Sequence, residues 1–199
     1  MAESVAAKTT IIGISGSLRK ASLNTTLLRA AAAAATDGAS VEIATIRGIP
    51  LYDGDVEAES GIPPEVAALK DRVAAADGLL IVTPEYNNSI PGVLKNAIDW
   101  MSRPGSDIGR VFGNKPVAIM GASPGRWGTI LSQAAWLPVL RTLGAQLWTG
   151  GRLQVASASK VFDQDGAIVD DAVKKQLDGF MTGFAGFVRA EKRARAGSS

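Results

Sequence analysis

Short apolar runs rich in β-branched residues alternate along the chain with longer amphipathic or alanine-rich stretches. Thr9-Thr-Ile-Ile-Gly-Ile14 predicts a first strand bounded by turn residues. A polar loop, Ser15-Gly-Ser-Leu-Arg-Lys-Ala-Ser-Leu-Asn24, leads into a helix through the alanine run Ala30–Ala35, ending near Asp37-Gly38. Val41-Glu-Ile-Ala-Thr-Ile46 predicts a second strand, Gly48–Gly61 a loop, and Pro63-Pro64 the opening of a helix through Ala76. Gly78-Leu-Leu-Ile-Val82 is apolar without a break, as in a strand buried on both faces. Beyond it, Val93, Leu94, Ala97, Ile98 and Met101 mark one side of a helix that Pro91-Gly92 opens. Lys115-Pro-Val-Ala-Ile-Met120 predicts a fourth strand, followed by a glycine-rich loop and a helix from about Thr129 to Leu143. Ala145-Gln-Leu-Trp148 starts a fifth strand, broken at Gly150-Gly151 and resumed as Leu153-Gln-Val155, before a last helix from about Asp171 to Ala190.

This alternation predicts an α/β fold, a parallel sheet with helices on both faces. Five strands fit the doubly wound order 2-1-3-4-5 better than the six-stranded alternative. In that order the first, third and fourth strands are neighbours, so the polar loops after them meet at one edge of the sheet. Ligands of open α/β sheets bind at such an edge.

Each of the three loops carries candidate chemistry. The first precedes a helix N-terminus, where free N–H groups and the helix dipole favour an anion. Ser15, Ser17, Ser22, Asn24 and Thr25 add hydroxyl and amide donors and Arg19 adds a charge. The spacing is neither a G-x-G-x-x-G fingerprint nor a Walker loop. Ser22 and Asn24 could each be ordinary caps, but together the set exceeds what capping requires. The loop after the third strand holds Glu85-Tyr-Asn-Asn-Ser89, which a plain connector does not call for. Ser123-Pro-Gly-Arg-Trp-Gly128 can bring backbone and an aromatic surface to a flat ligand, or Trp127 can simply pack.

Composition narrows the chemistry further. The chain has no cysteine and no histidine, which removes disulfides, thiolate nucleophiles, Ser-His-Asp triads and His- or Cys-ligated metals. An enzyme so composed relies on carboxylates, lysine or tyrosine, or on a cofactor. The pI near 9.0 is not a nucleic-acid signature. Arg189–Ser199 carry +3 of a whole-chain +2, leaving −1 for the rest. At 199 residues a single domain spanning 1–199 is expected, with 1–8 and 191–199 as flexible tails. There is no run long enough to span a bilayer and no signal-peptide pattern, so the expectation is a cytoplasmic protein with no membrane or nucleic-acid partner.

At this point Gly16-Ser-Leu-Arg-Lys-Ala-Ser-Leu-Asn24, Pro84-Glu-Tyr-Asn-Asn-Ser-Ile-Pro-Gly-Val-Leu-Lys-Asn-Ala-Ile-Asp-Trp100 and Ser123-Pro-Gly-Arg-Trp-Gly128 together resemble the NADPH-dependent FMN reductase family. That family includes quinone, azo-dye and chromate reductases of flavodoxin-like fold. The resemblance runs from about Ile11 to Val188. It implies non-covalent FMN, with Ser15, Ser17, Arg19, Ser22, Asn24 and Thr25 around its phosphate. Pro84, Glu85, Tyr86 and Asn87 would lie along the isoalloxazine ring, and Ser123, Pro124, Gly125 and Arg126 at its other polar edge. No obligatory acid–base residue is implied. Asn88 departs from the expected glycine or aromatic, touching loop fit; Gly128-Thr129 replaces a more usual Gly-Gly pair, touching substrate or nucleotide access. The implied activity passes two electrons from NADPH or NADH through FMN to a small-molecule acceptor, in a homodimer or homotetramer with the site at a subunit interface. A flavodoxin-type electron carrier, or a nucleotide-binding protein without turnover, are the alternatives on the same fold.

Overall fold

A computed structural model describes residues 8–34 and 38–197. Its central sheet pairs β1 (Thr9–Ser15), β2 (Ala39–Ala44), β3 (Gly78–Val82), β4 (Pro116–Ala122) and β5 (Gln146–Leu147) in the order β2-β1-β3-β4-β5, all parallel. This is the flavodoxin-like order anticipated above. The fifth strand does break. After β5 the chain leaves the sheet at Gly150-Gly151 and returns as β6 (Gln154–Val155), which pairs with the far end of β4. The glycines are needed because Trp148 folds back there: a Cβ on Gly150 or Gly151 would come within 2.7 or 2.8 Å of its indole. That ring in turn meets Phe180 edge-on at 4.9 Å.

Alternation along the strands sorts the core into two layers. Ile12, Ile14, Leu79, Ile81 and Val117 face α3 (Pro64–Ala75), α4 (Gly92–Met101) and α6 (Ile130–Thr142). Ile11, Leu80, Val82 and Met120 face α1 (Leu23–Ala33) and α7 (Asp171–Ala196). All of β3 is buried, as its unbroken apolar run requires. Helix α1 approaches the sheet closely at Gly13, where a Cβ would lie 2.5 Å from Leu28 Cδ1.

Four boundaries differ from the sequence expectation. The second strand begins and ends two residues earlier, because its register is set by β1 (Thr9 opposite Ala39 through Ile14 opposite Ala44) and not by its own apolar run. Within the expected loop 48–61, Gly54–Ser60 forms α2, capped by Asp53 through the N–H of Asp55 at 2.9 Å and closed at Gly61 with φ of 75°. A short helix α5 (Ile108–Val111) lies in the loop before β4. The expected flexible tail from residue 191 is instead helical to Ala196. It is held by Lys192 Nζ, which donates to Asp77 Oδ2 at 2.9 Å and to Lys8 O at 3.3 Å. Of the expected stop of α1 near Asp37-Gly38, Asp37 falls outside the described residues, as do residues 1–7 of the expected leader 1–8.

Candidate functional site

The loops after β1, β3 and β4 do meet, and backbone contacts hold them together. Gly16 N donates to Val82 O at 2.9 Å, and Thr83 N donates to Met120 O at 2.9 Å. Gly16 has no room for a side chain, since a Cβ would stand 2.7 Å from Leu94 Cδ2 and 2.9 Å from Pro84 Cδ. The first loop is therefore pressed against the second. Asn24 joins it to the third: its amide donates to Ala122 O at 2.8 Å and accepts from Ala122 N at 2.9 Å.

The first loop contains both scaffolding groups and spare donors. Ser22 caps α1, its Oγ accepting from Thr25 N at 3.2 Å. Thr25 Oγ1 donates to Ser15 Oγ at 2.9 Å, and Ser17 Oγ accepts from Arg19 N at 3.3 Å. Arg47 Nη2 steadies the loop from β2's end by donating to Leu18 O at 2.6 Å. Among the described residues, the backbone N–H groups of Ser17, Leu23 and Asn24 have no acceptor in the protein, and the exposed guanidinium of Arg19 has no partner. The caps expected of Ser22 and Asn24 are thus real for Ser22. Asn24 instead spends its side chain on β4, leaving one amide hydrogen.

The second loop shows why its polar run is long. Tyr86 and Ser89 exchange backbone hydrogen bonds of 3.1 and 3.0 Å around Asn87 and Asn88, whose φ values are 50° and 62°. Two successive positive φ values form a type I′ turn, where asparagine is among the few residues tolerated. Asn88 is therefore a turn residue, and a fitting one. Tyr86 and Asn87 are exposed, Pro84 is buried and Glu85 is half-buried. Glu85 Oε2 accepts from Leu131 N at 2.8 Å and Ser132 N at 3.0 Å. It caps α6 from another loop because Thr129, at the helix start, makes no side-chain cap bond. Thr129 is buried, its Oγ1 accepting from Gln133 Nε2 at 3.0 Å and closing over Gly121. Its side chain faces inward.

The third loop is fastened at its rear. Ala158 N donates to Ser123 O at 3.0 Å, Ser157 N to Gly125 O at 2.9 Å, and Gly125 N to Ser123 Oγ at 3.2 Å. Pro124, Gly125, Arg126 and Trp127 are exposed, Trp127 to 72%.

Sequence reasoning missed the node behind these loops. Thr83 Oγ1 donates to Pro84 O at 2.9 Å, accepts from Trp136 Nε1 at 3.1 Å and shares a 2.9 Å bond with Ser132 Oγ. A buried threonine closing an apolar strand was the available signal. Gly121 beside it has no space for a Cβ, which would sit 2.2 Å from Thr83 O and 2.3 Å from Thr129 Oγ1. No group of three or more His, Cys, Asp or Glu that could hold a metal occurs among the described residues.

Spare N–H donors at a helix start, beside two exposed loops at the edge of a flavodoxin-like sheet, are the parts a nucleotide-type ligand would use. The model of the NADPH-dependent FMN reductase family matches residues 9–160, and the chain belongs to that family. It is 44% identical over 167 residues to an NAD(P)H-dependent FMN reductase of Pseudomonas aeruginosa, covering 84% of this chain and 88% of that one. It is 43% identical over 175 residues to a 2-hydroxy-1,4-benzoquinone reductase of Burkholderia sp, covering 87% and 93%. The solved structure of FerB, an NAD(P)H:(acceptor) oxidoreductase flavoenzyme from Paracoccus denitrificans, superposes with a TM-score of 0.83 at 33% identity, covering 92% of this chain and 98% of that one. The protein is an FMN-dependent NAD(P)H oxidoreductase. The residues present fit the cofactor: a phosphate dianion suits unpaired N–H groups, hydroxyls and an unpaired arginine at a helix start.

Proposed function

We propose that the protein, as one domain over its whole length, passes two electrons from NAD(P)H to a quinone-type acceptor through FMN at this edge. The observation that carries the reading is the close seating of Gly16 against Pro84, which sets the donor-rich first loop beside the second. In this proposal Ser15, Ser17, Arg19, Ser22 and Thr25 surround the FMN phosphate, with Asn24 positioning them from β4. Pro84, Glu85, Tyr86 and Asn87 run along the ring, with the N–H groups of Glu85 and Asn87 free for it while that of Tyr86 is spent on Ser89. Ser123, Pro124, Gly125 and Arg126 meet the other edge. When bound, FMN supplies the hydride and electron chemistry. The chain's residues bind it, orient it and leave one side open to nucleotide and acceptor in turn. With no histidine or cysteine to move protons, positioning is the protein's share. Quinone is the acceptor class favoured because relatives of 43% and 38% identity carry quinone reductase names.

The proposal includes a homodimer or homotetramer. Helix α6 exposes Ile130, Leu131 and Leu137 beside Trp127, while its opposite side buries Trp136 and Leu140. A helix apolar on both sides calls for cover on both. Cytoplasm, where reduced nicotinamide nucleotide is supplied, is the proposed place of action. The direct test is the visible spectrum of purified protein before and after anaerobic NADPH, followed by benzoquinone. Flavin absorbance that bleaches and then returns is the expected result. Protein that binds no added FMN would overturn the reading. Arg19→Ala is expected to weaken FMN binding by about ten-fold, the size of a charge-assisted phosphate contact.

A further inference from the structure

The break in the fifth strand leaves a hole in the sheet. Alternate residues of β4 bond toward opposite neighbours. Met120 serves the β3 side, where its O accepts from Thr83 N. Val117 and Gly121 serve the other side: Val117 O accepts from Trp148 N at 2.9 Å, and Gly121 N donates to Leu153 O at 3.1 Å. Ile119 stands between these two, opposite the detour from β5 to β6. Neither its N–H nor its C=O has a partner among the described residues. It is also the one residue of β4 that is not fully buried.

A cleft of about 300 Å³ occupies this hole. Ile130, Ala134 and Leu137 of α6 and Leu147 of β5 give it apolar walls. Arg152 also lines it, exposed and without an ion pair among the described residues. Gln133 is the buried polar member of the lining, 9% exposed. Both of its amide hydrogens are spent, on Thr129 Oγ1 and Leu153 O at 3.0 Å each, and its Oε1 accepts from nothing among the described residues. The cleft lies behind the third loop, away from the candidate cofactor edge. Gly128, at the root of that loop, rests on Gln154 of the cleft lining, whose carbonyl a Cβ would meet at 3.0 Å.

Unmet polar groups in an apolar hollow set the terms for a ligand. The N–H and C=O of one strand residue point the same way, so together they match a ring edge carrying a C=O next to an N–H. The free Gln133 Oε1 asks for a further donor. A 2-amino-4-oxopyrimidine ring, the edge shared by pterins and guanine, presents that set as C=O, ring N–H and exocyclic NH2. Such a ring reproduces the bonds that water would make and displaces it without loss. The volume suits a fused bicycle, and an unpaired arginine suits an anionic substituent on it.

We propose that this cleft binds a 2-amino-4-oxopyrimidine heterocycle with an anionic tail. Its ring carbonyl and N–H meet Ile119, its amino group meets Gln133 Oε1, and its tail meets Arg152. Two sources share this chemistry, an acidic pterin and a guanine nucleotide.

The test titrates the protein by calorimetry with pterin-6-carboxylate and with GMP, keeping FMN in excess so that the cofactor edge is filled. Lumazine-6-carboxylate and IMP are the controls, since one replaces the 2-amino group by a carbonyl and the other lacks it. At least one of the two ligands is expected to bind at least about ten-fold more tightly than its control, and which one does so names the source. Arg152→Ala is expected to weaken that ligand by about ten-fold while leaving the uncharged 6-hydroxymethylpterin or guanosine where it was. Ala134→Phe, which fills the cleft from an exposed position of α6, is expected to abolish binding and to move the FMN dissociation constant by less than about two-fold. Failure of both ligands to bind, affinity equal to the controls, or binding untouched by both substitutions would each overturn the proposal. So would a ligand that competes with FMN, because it would then sit at the cofactor edge.

Discussion

Glu85 offers the sharpest test of how the site is held. One carboxylate oxygen accepts from two consecutive N–H groups at the start of α6, 2.8 and 3.0 Å away. Replacing a capping acceptor by alanine costs about 0.5–2 kcal/mol. Losing a negative charge at the helix's positive end adds about 0.3–1 kcal/mol. Glu85→Ala should therefore cost about 2 kcal/mol, with no cap available from Thr129, whose hydroxyl is taken by Gln133. For a chain of this length about 2–4 °C of Tm accompanies each kcal/mol, so melting should fall by about 4–8 °C. Glu85→Gln keeps an acceptor and loses the charge, and should fall by about 1–4 °C on the same scale. Thermal melts of the flavin-free protein, followed by circular dichroism at pH 7 and low salt, measure both. A melting point for Glu85→Ala within about 1 °C of the unsubstituted protein, or equal losses for the two variants, would refute the cap.

Three further expectations use other parts of the structure. Gly121→Ala forces a methyl group to 2.2 Å from Thr83 O and should destabilise by more than the roughly 1–3 kcal/mol of ordinary overpacking, whereas Gly92→Ala, with nothing within 4 Å, should be neutral or stabilising by about 0.5–1 kcal/mol; parallel melts decide. Burial lowers the Lys115 ammonium to about 8, helped by the positive charge of Arg195 and opposed by Asp77. Its folded value lies below the unfolded one, so this group adds stability as pH rises from about 8 toward 10. Solvent screening and its hydrogen bonds to Ala74 O and Ala76 O keep the gain to about 1 kcal/mol, which urea unfolding at both pH values should show as a rise missing from Lys115→Met. Hydrogen bonds from Arg110 and Lys70 hold the Asp107 carboxyl well below the usual carboxylate range. Its stabilisation is present above pH about 4 and disappears as acid protonates it, so the acid unfolding curve of Asp107→Asn should lie nearer neutral pH, with coincident curves counting against the pairing.

How much of this was legible in the sequence depended on how local each determinant is. The five strands and the break at Gly150-Gly151 rest on apolar runs and glycine pairs that stand next to each other in the chain, whereas their order followed from the strand count and the few topologies that fit it. Helix α2 buries no residue, so no periodic pattern announces it; Asp53 and Gly61 at its ends were its only marks. The Asn87-Asn88 pair looked like ligand chemistry but has a conformational task that the dipeptide itself encodes. Asn24 and Glu85 were singled out for a ligand, yet their side chains serve partners 98 and 46–47 positions away. No spacing rule reaches that far. Only the folded sheet edge separates such groups from neighbours of the same type.

That separation explains the division of labour at the edge. Asn24, Thr83, Glu85 and Gln133 have their side chains bonded within the protein, and Gly16, Gly121 and Gly128 let the backbones they join come close enough for this. Ser17, Leu23 and Arg19 keep donors that nothing in the described chain accepts. Polar groups facing a concave edge are worth more to a ligand when they need not first break an internal bond. Substitutions should then fall into two groups. Changes to the satisfied residues lower Tm and FMN affinity together, because loop positions shift. Changes to the spare donors lower FMN affinity and leave the Tm of the flavin-free protein where it was. A protein without histidine or cysteine can run redox turnover on this plan, since its part is to hold three loops still and offer unspent hydrogen bonds where they meet.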